Sequence, residues 1–179
     1  DKINKYGLKK YVDINREISN TIYEILYLSR NSKAIIVSSG AARLFDKENL
    51  TNEILNKNPY EYLKYEEEEK LSKVTNSLTL RIFALSGYFI RDPNLFALGN
   101  FLISAKLKKP ISINALNNVI RSYGFASDIA KSAIKWLLNT NNSEYDNKKI
   151  DVISHTTNLL NLAKEITQIY DLPNIKENI

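Results

Sequence analysis

The side chains with the most chemistry to offer are cations spaced by helical turns. Lys131 and Lys135 stand four residues apart, with Ser127 and Ser132 beside them, a spacing that puts both ammonium groups on one helix face. Lys106, Lys108, Lys109 and Arg121 come before them, and the only acid between Pro93 and Ser143 is Asp128. This one stretch therefore holds the whole net charge of +5 of the 179-residue chain. Segregated positive charge calls for a polyanion. Lysines and an arginine on such a face would grip phosphates, which positions a nucleic acid without reading its sequence.

Other reactive groups are sparse. There is no cysteine and a single histidine, His155, which removes disulfides, thiolate zinc sites and cysteine nucleophiles. Glu66–Glu69 is a run of four carboxylates; on a helix they point in different directions and read as a solvated face. Tyr60, Tyr62 and Tyr65 could stack on bases, although amphipathic filling of a helix start is the better explanation of them. Ser39-Gly40 follows an apolar run, yet neither a G-x-S-x-G elbow nor a P-loop is present. With no phosphate loop, zinc spacing or acid pair, the expectation is a non-enzymatic protein with no cofactor and no metal.

The elements that would carry these residues read mostly as helices. Five glycines and four prolines are few for a turn-rich β fold. Asp13 opens a helix to about Arg30 on a stripe of Ile14, Ile18, Ile22 and Ile25. Asn58, Pro59 and Glu61 restart the chain as a helix, and Leu71, Val74, Leu78, Ile82, Leu85 and Phe89 extend its spacing to Arg91. Asp92-Pro93 then opens a second apolar helix, so Ser77–Leu107 is expected to be two helices meeting at a corner. Ser112 caps a helix over Ile113–Tyr123 and Ser127 one to Leu138. Asn139–Lys149 is a loop, Ile150–Ser154 a short strand, and Leu159, Leu162, Ile166 and Ile169 mark a final helix. Lys33–Phe45 fits either a strand with a turn at Ser39-Gly40 or a helix. The fold class expected is mainly α, a multi-helix bundle with a winged-helix-like C-terminal half and at most one short β-ribbon. An N-terminal part, 1–92, and a C-terminal part, 93–179, are the expected divisions, with one continuous core as the alternative.

Between Leu95 and Ser154 a helix, a short helix, a turn, a longer helix, a polar loop and an apolar strand follow one another. Val119, Tyr123, Gly124, Phe125, Ala130 and Ala133 occupy the apolar and turn positions of a two-helix unit. This third of the chain resembles the winged helix-turn-helix superfamily. The resemblance implies DNA or RNA as partner, with Ser127–Leu138 as recognition helix. Plain helical packing is the other reading of the same residues. It makes the chain a helical interaction subunit or adaptor that binds a protein partner or a second copy through apolar seams. No apolar run reaches membrane-spanning length and nothing resembles a signal peptide, so no membrane is expected and the location expected is cytoplasmic.

Overall fold

The structure, a computed structural model, describes residues 2–29, 32–46, 51–88, 90–113, 118–139, 147–172 and 175–177. The chain runs α1 (Lys2–Tyr6), α2 (Leu8–Leu28), β1 (Lys33–Ser39), a 3₁₀ turn (Gly40–Phe45), α3 (Asn52–Lys57), α4 (Pro59–Leu71), β2 (Asn76–Ile82) and β3 (Ala84–Ser86). A second 3₁₀ turn (Pro93–Leu95), α5 (Ala97–Lys106), β4 (Ser112–Ile113), β5 (Ile120–Phe125), α6 (Ala126–Asn139), β6 (Lys148–Val152), β7 (His155–Asn158), α7 (Leu159–Tyr170) and β8 (Lys176–Glu177) follow. This is an α/β chain, and the mainly α bundle is corrected.

The chain divides into two compact units. The first joins Asp1–Phe83 to Asp128–Val152 and is built on a parallel sheet of order β1-β2-β6. Ile36 lies opposite Thr79, Ser38 opposite Arg81, and Arg81 opposite Asp151. On one face Leu78 and Leu80 pack with Ala133 of α6, joined by Ile35, Ile129, Trp136 and Val152. On the other face Ser77, Thr79 and Arg81 are buried, with Glu68 of α4 bonded to Arg81. Burial on both faces is why this segment misleads as a sequence. A parallel strand covered on two sides loses the apolar–polar alternation of a half-exposed one, and Leu78, Ile82 and Leu85 also satisfy a helical period. The helix expected over Pro59–Arg91 therefore ends at Leu71, and no two-helix corner forms.

Val12, Phe45, Leu55, Tyr62 and Leu63 make a second core in this unit, between α2, the 3₁₀ turn, α3 and α4. Helix α2 turns Val12 inward and leaves Ile14, Ile18 and Ile25 exposed, the reverse of the expected stripe. Arg16 ties it to α4 with a bidentate bond to Glu66 at 2.9 and 2.8 Å.

The second unit joins Ala84–Ser127 to Ile153–Ile179. Phe101, Ala105, Ile111, Tyr123, Leu162 and Ile166 form its core. Strand β5 pairs parallel with β3 and antiparallel with β7. Tyr123 and Gly124, the expected turn of a helix pair, are ladder residues opposite Ala84 and Leu85, so the winged-helix resemblance is overturned here. Ile120, Tyr123 and Phe125, half of residues 120–125, are β-branched or aromatic, suited to a strand. The expected helices at Ser127–Leu138 and near Leu159–Ile169 do form. The Asn158 carboxamide oxygen accepts from the Asn161 N–H at 2.7 Å and caps the last of them. The expected strand at Ile150 is real but lies in the parallel sheet, and most of the expected loop before it, 140–146, falls outside the described residues. Among the described residues no helix is long and apolar enough to cross a membrane.

Candidate active site

Open parallel sheets collect ligands beyond the carboxyl ends of their strands, here Ser39, Ile82 and Val152. One residue before the end of β2, Arg81 is only 3% exposed and its partner Glu68 0%. The guanidinium donates to Glu68 from Nε at 3.0 Å and Nη2 at 2.6 Å, and to both Asp46 oxygens at 2.6 Å. Those bonds from Arg81 hold the Asp46 carboxyl below its usual range and the guanidinium above its own. Lys149 bonds to Glu69, lies 3.6 Å from Glu68 and sits 5.2 Å from the Tyr65 ring centre. Burial opposes its charge, but Glu69 and Glu68 outweigh that and hold the ammonium above its usual value. Arg43 pairs with Asp151 at 2.7 Å.

All of these groups except the buried Glu68 line a cleft of about 550 Å³. Each cation in it already has a carboxylate partner, so the lattice clamps α4 to the sheet instead of waiting for an anion. The Glu66–Glu69 run is thus not a solvated face: its members bond in turn to Arg16, Lys64, Arg81 and Lys149. No cluster of three or more histidine or carboxylate side chains able to hold a metal occurs among the described residues.

The clamp fixes the start of α4 beside the end of β1. Lys64 Nζ donates to the Val37 carbonyl at 3.4 Å and pairs with Glu67 at 2.8 Å. Tyr60, one turn earlier on the helix, is 45% exposed. Both line a cleft of about 130 Å³ with Tyr11 and Asn15 of α2. Burial, then the neighbouring Tyr60, pushes the Tyr11 phenol up. Ser38, next along β1, is buried and its hydroxyl has no partner among the described residues. A solvent-reaching phenol can pass a proton to or from a bound hydroxyl. The signal for this pair was present in the sequence as Tyr60-x₃-Lys64, but it lay among other tyrosines whose helical positions accounted for them.

The basic residues singled out from sequence lie elsewhere. Lys106 ends α5, and Lys108, exposed at a φ of 54°, donates to the Tyr170 carbonyl at 2.6 Å. Lys109 is exposed just beyond. Arg121 is exposed on β5 and not on a helix, its Nη1 donating to the Ile120 carbonyl at 3.2 Å. Ser127, Lys131 and Lys135 are exposed on successive turns of α6, with exposed Ser132 alongside.

No protein-family model matches the chain, and no curated protein matches it by sequence. Solved structures do match. UDP-N-acetylglucosamine 4-epimerase from Methanobrevibacter ruminantium M1, in complex with UDP-N-acetylmuramic acid, is 19% identical and superposes with a TM-score of 0.72 over 91% of this chain and 55% of its own. UDP-glucuronic acid 4-epimerase from Bacillus cereus, in complex with UDP-glucuronic acid and NAD, is 16% identical with a TM-score of 0.72 over 97% and 56%. UDP-glucose 4-epimerase from Thermotoga maritima, with UDP-glucose, is 19% identical with a TM-score of 0.65 over 88% and 54%. The chain therefore has their fold and spans little more than half their length. These neighbours are sugar-nucleotide enzymes. That finding corrects the expectations of a nucleic-acid partner, of a helical adaptor and of a protein without enzymatic activity.

A dinucleotide such as NAD is a poor fit to the residues of this chain. In such folds its pyrophosphate rests on a glycine-rich turn between a parallel strand and a helix. Gly40 follows β1, but a Cβ there would run into the Phe83 ring, so the space that a phosphate would need is filled. Gly99 lies against the Pro93 carbonyl, Gly7 joins two helices, Gly124 is inside β5, and no helix opens on Gly87 after β3.

Proposed function

We propose that this chain acts in sugar-nucleotide chemistry of the UDP-sugar epimerase type and supplies its proton-transfer half. Tyr60 is the acid–base group, exchanging a proton with a hydroxyl of the sugar, and Lys64 stabilises the phenolate that results. The observation that carries this reading is the Lys64 ammonium at the Val37 carbonyl near the end of β1, one helical turn after Tyr60 and in the same cleft, on a fold shared with UDP-sugar 4-epimerases. The Arg81 lattice serves as the mount that keeps α4 in register with the sheet. A proton transfer needs donor and acceptor within hydrogen-bond reach, so a helix free to slide would lose it. A cytoplasmic location belongs to this reading and is compatible with the lack of a membrane-crossing helix among the described residues.

The test is a titration of isotope-labelled chain with UDP-glucose and UDP-glucuronic acid, followed by amide resonances. Shifts are expected at Val37–Gly40 and at the first two turns of α4. Tyr60→Phe and Lys64→Met should each weaken binding about tenfold, the loss of about one hydrogen bond to ligand, with thermal stability unchanged in Tyr60→Phe. Absence of any shift at millimolar sugar nucleotide rejects the proposal.

A further inference from the structure

We infer that Glu67 is a positioning residue for the proton transfer: its carboxylate holds the Lys64 ammonium beside β1 and offsets part of its charge, and so sets how readily Tyr60 releases its proton. The inference rests on the proton-transfer reading and adds a third residue to it. Tyr60, Lys64 and Glu67 follow one another at spacings of four and three residues in α4, which puts them on one helix face. All three line the cleft of about 130 Å³. Phenol, ammonium and carboxylate thus stand in a row, with the cation in the middle.

The middle place matters because an ammonium has several protons to donate but a single charge to share. Lys64 Nζ reaches Glu67 Oε2 at 2.8 Å and the Val37 carbonyl at 3.4 Å. The first bond is the shorter, and it alone carries a full opposite charge. The pair Lys57–Glu53 on α3 has similar geometry, at 2.7 Å, but its side chains are 69% and 77% exposed, against 30% and 17% for Lys64 and Glu67. Water screens the enclosed pair less. A lysine beside a phenol favours the phenolate, and a carboxylate behind the lysine works against it. Lys64 and Glu67 are the only charged residues among the described residues lining the cleft. Helix α2 brings Tyr11, Asn15, Ile18 and Ser19 to it. Burial pushes the Tyr11 phenol up, so that group stays neutral through the neutral range. From β1 comes the Val37 carbonyl. The first 3₁₀ turn and α3 also pack on α4 but line no part of the cleft. Glu61, next to Tyr60 in α4, is the other nearby carboxylate.

The test is a pH titration of Tyr60 in the whole chain, with carbon-13 at the hydroxyl-bearing ring carbon of tyrosine and the Tyr60 signal assigned by its loss in Tyr60→Phe. Glu67→Gln keeps an oxygen for Lys64 and removes the charge. It is expected to lower the pH of Tyr60 ionisation by about half a unit, the effect of one charge roughly 10 Å away along the helix in a partly screened cleft. Lys64→Met should raise that pH, and Glu67→Asp, which keeps the charge, should leave it nearly unmoved. Glu53→Gln, the same loss of charge on α3, should also leave it unmoved. An unchanged midpoint in Glu67→Gln, or an equal shift in Glu53→Gln, overturns the inference, as does a midpoint that falls in Lys64→Met. The titration needs no ligand, so the two readings fail separately. A shifted midpoint in a chain that binds no UDP-sugar rejects the proton-transfer reading and leaves the coupling of the three side chains. An unshifted midpoint in a chain that binds UDP-sugar removes only the role of Glu67.

Discussion

Arg81 carries a charge into the core of the first unit, where Glu68 is wholly buried and Asp46 sits at the rim. Removing two such ions from water costs several kcal/mol each, and only close, multiply bonded geometry recovers it. Arg81→Leu should therefore destabilise the chain by about 3 kcal/mol, since it strands a buried carboxylate; urea unfolding measures it. The double variant Glu68→Leu/Arg81→Leu should lose less than the two single losses added together, and simple additivity would argue against a coupled pair. Asp46 adds a pH dependence. Arg81 holds its folded carboxyl below the usual range, so its contribution is complete above that range. It is lost as pH falls through about 4 toward the lower folded value. Asp46→Asn should flatten the stability curve between pH 5 and 3; an unchanged slope contradicts the assignment. Of this residue-scale chemistry the sequence displayed the participants without the pairings. Four consecutive glutamates look alike in a row, and partners brought by α2, β2 and β6 give Glu66, Glu68 and Glu69 tasks different from that of Glu67, which pairs with Lys64 on its own helix.

Among the elements, the turn after β1 depends on a residue without a side chain. A methyl group at Gly40 would collide with Phe83, so Gly40→Ala should cost about 1–3 kcal/mol through overpacking, visible as a lowered Tm. In the second unit Asn158→Ala removes the α7 cap and should cost about 1 kcal/mol, in a similar measurement. Helices α6 and α7 were legible because their signals are local: a polar residue to open them, apolar positions every three or four residues, and exposed charges between. Strand β2 was not, because Ser77, Thr79 and Arg81 are as buried as Leu78 and Leu80. A segment enclosed on both sides no longer records which period it obeys. The strand at β5 was lost for a related reason, since Val119, Ile120 and Tyr123 satisfy helical spacing while their β-branched and aromatic character favours a ladder.

For the whole molecule, the parallel sheet decides which ends of the strands gather function. An open α/β sheet places its ligands at one rim; in the first unit Ser38 lies near that rim and Lys64 reaches the Val37 carbonyl beside it. Failure of the isolated chain to retain NADH, together with measurable affinity for a UDP-sugar, is the pattern expected. Retention of NADH would require a phosphate site that none of the five glycines forms. Composition excluded thiol and disulfide chemistry outright, and local signals set where α4 starts and where α6 and α7 run, because capping and helical periodicity involve residues a few positions apart. The order β1-β2-β6, the burial of Arg81 against Glu68 and the meeting of Lys64 with the Val37 carbonyl were decided by tertiary structure alone. Strand pairing and buried ion pairs join residues distant in the chain, and their energy comes from neighbours that a linear sequence does not name.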